Sequence, residues 1–257
     1  MDVTGLLDPL PLWAIFVLSV GIALLSVEVG YRVARNRQQH GSEEQASLVG
    51  GMVGPTLGLL AFMLAFTFGL AGSRFEDRRQ VMLSEANAVG TAYLRAKLLP
   101  EPMRTDAQNL LREYVDVRLE AVQPGKLDQA LVKSEELHNK LWSVAMATAE
   151  KERSAITSIF IQSLNEVIDL HAERVMAGLR SRVPAIIWIV LYVLAILAMG
   201  MMGYHTGLAN SKRSLAVIAL ILGFSSVLFL IADLDRPGQG TLQVSQHAMI
   251  DLRNSMK

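Results

Sequence analysis

Polar side chains that interrupt apolar helical patterns are the residues of this sequence best placed to do chemistry. A buried polar group needs a hydrogen-bond partner, and a carboxylate that faces an arginine accepts strong, directional hydrogen bonds. Several such residues could meet inside a layer of helices, either as structural ties or as the lining of an ion vestibule. The candidates for this polar network are Glu85, Asn87, Arg95, Tyr114, Arg118, Asn165 and Asp169.

A group of arginines follows one long apolar segment and precedes another. If both segments cross a membrane, these arginines lie at one membrane face, where positive side chains favour the entry of anions. They are Arg74, Arg78, Arg79, Arg180 and Arg182.

Neither the arrangement of the histidines nor any common catalytic motif indicates an enzyme site. The densest polar group around any of the five histidines is His171 with Asp169 and Glu173. Residues two positions apart on a helix do not face one another, so we expect His171 on a solvated surface rather than in a metal site. The sequence has no cysteine, no Gly-x-Ser-x-Gly elbow, no Walker-type loop and no dinucleotide fingerprint. We therefore expect neither an enzyme nor a bound cofactor or metal.

The composition is that of a membrane protein with a substantial part outside the bilayer. Hydrophobic residues make up 51 % of the chain, yet its middle is strongly charged. The 24 basic and 24 acidic residues balance, so the chain lacks the basic field that nucleic-acid binding requires. Nucleic acid is therefore not expected as a partner.

Four apolar segments are long enough to cross a bilayer. They lie at about residues 12–33, 51–72, 183–204 and 215–232. The sequence thus predicts an all-α integral membrane protein with four transmembrane helices and a helical extramembrane layer between spans two and three. Its expected parts are a first hairpin (1–73), a helical domain (74–182), a second hairpin (183–233) and a C-terminal tail (234–257).

The second span runs without a turn signal into the charged middle, which predicts one helix from Pro55 to Leu98, about 66 Å long. Within its apolar part, small residues recur at steps of three and four and share one narrow face. Such a face accepts another backbone closely, either within the subunit or between subunits. Its residues are Gly54, Gly58, Ala61, Ala65 and Gly69.

A second stripe on the same helix consists of Phe62, Phe66 and Leu70, each four residues from the last. These side chains could meet lipid or a neighbouring helix. Alternatively, if several copies surround an axis, rings of phenylalanine would form an apolar constriction that hinders ions by dewetting.

Short motifs along the whole chain resemble those of the bacterial bestrophin-like family of domains of unknown function. They are Phe66-Thr67-Phe68, Ser73-Arg74-Phe75-Glu76-Asp77-Arg78-Arg79, Glu85-Ala86-Asn87, Tyr93-Leu94-Arg95-Ala96, Leu98-Leu99-Pro100, Tyr114-Val115-Asp116-x-Arg118, Leu164-Asn165 with Asp169, and Leu234-Asp235-Arg236-Pro237 before Gly240.

Bestrophins proper are pentameric anion channels whose second helix lines a neck with apolar side chains four residues apart. The spacing of Phe62, Phe66 and Leu70 is similar, so the resemblance implies a pore. The sequence lacks the aromatic and Arg-rich segment expected after the first bestrophin helix, and it has no acidic cluster resembling the calcium clasp. Calcium gating is therefore not expected.

The distribution of basic residues bears on orientation. Arg32, Arg35 and Arg37 follow span one, and Lys212 with Arg213 occupy the other short loop, which favours these loops in the cytoplasm. The arginines near spans two and three favour the opposite orientation. Giving weight to the first helix, we expect a bacterial inner-membrane protein with its helical domain in the periplasm.

These patterns lead to two hypotheses for function. The first is an oligomeric, bestrophin-like anion channel, whose partners are the lipid bilayer, further copies of the chain and inorganic anions. The alternative is a membrane-anchored helical scaffold or sensor without transport activity.

Overall fold

The computed structural model describes residues 10–40, 46–210, 215–238 and 240–256, without the side chain of Arg180. Residues 1–9 and the loop carrying Lys212 and Arg213 lie outside the described residues. The helices are α1 (Leu12–Gln39), α2 (Ala46–Ala96), α3 (Met103–Glu120), α4 (Leu127–Lys151), α5 (Ala155–Val175), a π-helical turn (Met176–Arg180), α6 (Ala185–Leu208), α7 (Leu215–Asp235) and α8 (His247–Ser255).

The predicted fold class is confirmed. No strand occurs in the described ranges, and α1, α2, α6 and α7 are each long and apolar enough to cross a membrane. Helix α2 is continuous over 51 residues, which corresponds to about 76 Å, more than twice the roughly 30 Å of a hydrocarbon core. The helical layer between spans two and three consists of α3, α4 and α5 with the second half of α2.

The chain divides into two compact units. The membrane unit comprises Met1–Phe75 and Arg182–Leu242, and the helical unit comprises Glu76–Ser181 and Gln243–Lys257.

In the membrane unit, α1 packs on α6 and α7. The contact with α6 depends on glycine, since a β-carbon at Gly30 would overlap the carbonyl oxygen of Gly200, and one at Gly203 would overlap that of Val27. Close backbone approach of this kind is how small residues hold membrane helices together.

In the helical unit, a single apolar core collects the inward sides of α2, α3, α4 and α5. Val89, Leu111, Leu137 and Phe160 are among its fully buried side chains. Prolines at 100 and 102 end α2, because a proline cannot continue the hydrogen bonding of a helix.

The C-terminal helix α8 closes this core. The Met256 side chain is buried, and its carbonyl oxygen accepts hydrogen bonds from Tyr93 Oη (3.2 Å) and Arg112 Nε (2.6 Å). Arg253 forms a bidentate pair with Asp116 of α3. These contacts tie the tail to α2 and α3.

Candidate functional site

Helix α2 has two unlike sides within the membrane unit. Leu60, Leu64, Thr67 and Ala71 are all buried, at 1, 2, 0 and 0 % exposure. Their spacing of four, three and four places them on one side of the helix. This side is the one that the rest of the unit covers.

The small-residue face is uncovered. Gly54, Gly58, Ala61, Ala65 and Gly69 are all exposed. A β-carbon at any of the three glycines would have no atom of the described chain within 4 Å. The sequence allowed this face to pack on a helix of the same subunit or on one of another subunit. Among the described residues, no helix of the same subunit covers it.

Helices α1 and α6 expose a different kind of side chain. Their outer surfaces carry large aliphatic residues, as expected for contact with lipid tails. Examples are Val17, Leu25 and Val29 of α1 and Ile186, Val193 and Leu197 of α6.

Helix α7 has a mixed outer surface. Its large residues Leu215, Ile218 and Leu222 are exposed, and so is a small-residue series at steps of three and four, Ala216, Ala219, Gly223 and Ser226. The small face of α2 is longer, since it extends over sixteen residues from Gly54 to Gly69. Small residues are typical of helix–helix contacts rather than of lipid contacts, so α2 carries the most extended candidate surface for packing against another helix.

The aromatic stripe lies beside the uncovered small residues. The Phe62 and Phe66 side chains are 66 and 61 % exposed, and Leu70 is half-buried. Within one chain, the two phenylalanine rings therefore have room to meet lipid, another subunit or a central axis.

The arginines predicted at a membrane face differ in their surroundings. In the membrane unit, Arg74 is half-buried, and its Nη1 has no hydrogen-bond partner among the described residues. Arg182 of the same unit donates from Nη1 to the carbonyl oxygen of Asp235 at 2.5 Å. In the helical unit, Arg78 is buried, whereas Arg79 is exposed and pairs with Glu76 at 3.3 Å. The side chain of Arg180 lies outside the described residues.

A buried ionic network occupies the centre of the helical unit. The fully buried carboxylate of Glu85 accepts a hydrogen bond from Tyr114 Oη at 2.6 Å. It forms ion pairs with Arg118 Nε at 3.1 Å and with Arg174 Nη1 at 2.5 Å. Arg174 also donates from Nη2 to Gln246 Oε1 at 3.1 Å. The network thus joins α2, α3 and α5 to the residue that precedes α8.

Two histidines complete this network. His171 Nδ1 lies 3.1 Å from Tyr114 Oη, and the His138 ring packs against both Tyr114 (5.0 Å between centroids) and His171 (4.9 Å). Since the single hydroxyl proton of Tyr114 is donated to Glu85, the contact with His171 requires that Nδ1–H donates to Tyr114 Oη. This assigns the Nδ1–H tautomer to a neutral His171.

The prediction that His171 lies on a solvated surface is wrong, because the residue is only 7 % exposed. His171 continues the buried series Phe160, Leu164 and Val167 of α5 at steps of four, three and four. Counting helical periodicity through the histidine, instead of inspecting its charged neighbours in sequence, would have placed it inside.

Burial and charge set the protonation states of the network. Burial, with the positive charge of Arg118, lowers the pKa of His171 from 6.5 to about 4, and burial lowers that of His138 to about 4. Burial alone would raise the pKa of Glu85, but Arg174 and Arg118 outweigh it and hold that pKa below its ordinary value. Burial and the Glu85 carboxylate raise the pKa of Tyr114. At neutral pH, a carboxylate therefore lies between two guanidinium groups, with both histidines neutral.

The remaining network candidates lie elsewhere. Asn87, Asn165 and Asp169 are exposed, and Arg95 donates to the carbonyl oxygen of Ile159 at 2.9 Å. The structure thus brings together Glu85, Tyr114 and Arg118 of the predicted set, and it adds His138, His171 and Arg174 to them.

The sequence profile of the bestrophin-like domain matches residues 17–249. The chain belongs to the bestrophin-like family. The resemblance that the short motifs indicated is therefore confirmed for nearly the whole length of this bestrophin-like protein.

Solved structures support the same fold. Two crystal structures described as those of a membrane protein, one with a proline-to-alanine and the other with a glycine-to-alanine change, each give a TM-score of 0.65. Their sequences are 14 and 12 % identical to this chain, and the matches cover 95 and 94 % of it and 97 and 96 % of those chains. At such identities the likeness is one of fold. No curated protein sequence matches the chain.

Proposed function

We propose that this bestrophin-like protein is an oligomeric anion channel, in which copies of α2 surround the ion pathway. Its partners are then the lipid bilayer, other copies of the same chain and inorganic anions. We place it in a bacterial inner membrane, with the helical domain in the periplasm, on the distribution of basic residues around the first span.

The observation that carries this proposal is the uncovered side of α2. Glycine and alanine at Gly54, Gly58, Ala61, Ala65 and Gly69 leave no side chain to fill the space beside the helix. In a lipid environment such a face gains little from contact with acyl chains, but it allows a second helix to approach closely. Contact between subunits along α2 would bring copies of this helix around a common axis.

The aromatic stripe supports a pathway at that axis. Phe62 and Phe66 are exposed in the single chain, so rings from several copies can project toward one another. An apolar ring of this kind controls ion passage by dewetting, without binding the ion tightly. Arg74 follows the stripe in the membrane unit with a buried Nη1 that has no partner in the described chain, which favours anions over cations.

Liposomes containing the purified protein test this proposal. The Phe62→Ala, Phe66→Ala double variant is expected to raise chloride efflux above that of the wild type, because a wider and more readily wetted constriction passes ions faster. Val193→Ala, Leu197→Ala is the matched control, since these two exposed α6 side chains are also four residues apart. The control should leave the efflux unchanged.

A protein that is folded and inserted but gives no efflux, in the wild type and in the double variant alike, contradicts the channel. That result would favour the alternative, a membrane-anchored scaffold or sensor. The buried network of the helical unit is compatible with this alternative, because it can hold a fixed surface for a partner without any transport.

A further inference from the structure

The helical unit contains a groove between α4 and α5 that the proposed channel activity does not use. Its volume is about 480 Å³, a size that suits a small-molecule ligand. Its lining residues are Glu135, His138, Asn139 and Trp142 of α4 with Asn165 and Ile168 of α5.

The lining is rich in hydrogen-bond acceptors. Glu135 supplies a carboxylate, and Asn139 and Asn165 each supply an amide oxygen. His138 is only 8 % exposed, and its Nε2 is buried without a hydrogen-bond partner in the described chain. A neutral imidazole can accept a hydrogen bond at that nitrogen. No lysine or arginine occurs among the lining residues.

The groove also offers an aromatic face. Trp142 remains 38 % exposed, although it is the largest side chain of α4. A tryptophan ring attracts a cation, and a carboxylate on the same side of the helix adds a separate coulombic attraction for that charge. Glu135 is exposed and lies seven residues, or two helical turns, before Trp142, so both project from the same side of α4.

The buried network beside His138 has a net charge of +1, from two guanidinium groups and one carboxylate, and the combined charge of −2 on the exposed carboxylates of Glu135 and Asp169 exceeds it. Glu85 and Arg118 both act electrostatically on His138. The guanidinium groups of Arg118 and Arg174 pair with the Glu85 carboxylate, and none of these three residues lines the groove. Asp169 of α5 is exposed and follows Asn165 by one helical turn. Together with Glu135 of α4, it makes two exposed carboxylates on these helices.

We propose that the groove between α4 and α5 binds a small organic ammonium ion, with its alkyl groups against the Trp142 ring and its charge opposite Glu135. A metal ion fits less well, because the described residues contain no cluster of three or more histidine and carboxylate ligands with suitable geometry. An alkylammonium ion that keeps an N–H uses both features, because its alkyl groups contact the ring and its N–H donates to an acceptor.

The test titrates the purified full-length protein with trimethylammonium chloride, which keeps one N–H beside its three methyl groups, with sodium chloride as the reference salt, and follows the heat of binding. Saturable binding is expected for trimethylammonium only. Glu135→Gln should weaken it by about tenfold or more, because the opposing charge is lost. Glu136→Gln is the matched control, since this neighbouring exposed glutamate does not line the groove, and it should change the affinity by less than about twofold.

Two tryptophan variants separate a specific site from a general charge effect. Trp142→Phe keeps a ring face and should retain measurable binding, whereas Trp142→Leu should lose it. The unfolding temperature of each variant is measured alongside. If a variant loses binding but keeps the wild-type melting curve, the loss is one of the site and not of folding. The proposal is overturned if folded wild-type protein gives no saturable heat, if Glu135→Gln and Glu136→Gln weaken binding equally, or if Trp142→Leu binds like the wild type.

Discussion

Glu85 is held between two arginines in the interior of the helical unit, and removing it would leave the buried Arg118 and the half-buried Arg174 without their counter-charge. Glu85→Ala is therefore expected to lower the free energy of unfolding by about 3 to 5 kcal/mol. Glu76→Ala is the control on the same helix, since the Glu76–Arg79 pair is exposed, and it should cost less than about 1 kcal/mol. Denaturant unfolding in detergent measures both. Equal, small losses would show that the buried pair carries little stability.

His138 and His171 make stability depend on pH. Their pKa is about 4 in the folded protein against 6.5 when unfolded, so between these values the unfolded chain binds more protons. The free energy of unfolding should therefore fall as the pH drops from about 6.5 to about 4, by on the order of 2 to 3 kcal/mol per histidine. The loss is absent above this range and complete below it. His138→Gln with His171→Gln should flatten the pH profile, and exposed His247→Gln should leave it unchanged.

At this scale, the sequence predicts part of the network. Glu85, Tyr114 and Arg118 could be singled out because each is polar within an apolar helical series. Asn165 and Asp169 fit that criterion equally well but are exposed, since periodicity does not tell which edge of an apolar stripe faces the core.

At the scale of elements, the glycines of the spans fall into two classes. Gly203 faces α1 backbone within the chain, whereas Gly58 faces open space. Gly203→Leu is expected to prevent folding of the membrane unit. Gly58→Leu should leave the subunit folded but reduce the mass of the detergent-solubilised oligomer, because the added side chain separates neighbouring copies of α2.

Gly21→Leu is the matched control. Gly21 of α1 also has open space beside it, but Val17 and Leu25, one turn away on either side, already expose large side chains there. Its oligomer mass and melting temperature should equal those of the wild type. Light scattering after size-exclusion chromatography measures the mass. A Gly58→Leu protein with the native mass and native melting behaviour would rule out close packing at this position.

The four spans and the continuous α2 helix were predictable because long apolar segments and unbroken helical periodicity are strong local signals. The docking of α8 was not, since it depends on Met256 and Arg253 meeting residues more than 130 positions earlier in the chain. The π-helical turn Met176–Arg180 has no local signal that we recognise.

At the scale of the whole molecule, orientation decides which compartment the helical domain meets. Because the chain has no cysteine, a single Gln123→Cys substitution gives a unique label site in the exposed turn after α3. Gln123 is preferred to Gly125 of the same turn, because Gly125 has a φ of +75°, a conformation that favours glycine over cysteine. An impermeant maleimide should label the variant in intact spheroplasts. Labelling only after lysis would place the helical domain in the cytoplasm.

Anion conduction is the central claim for the assembled protein. Its most direct test is the reversal potential of purified protein in a planar bilayer with a potassium chloride gradient. The account predicts a current that reverses near the equilibrium potential of chloride. A reversal near that of potassium, or a folded and inserted protein that carries no current, would contradict it.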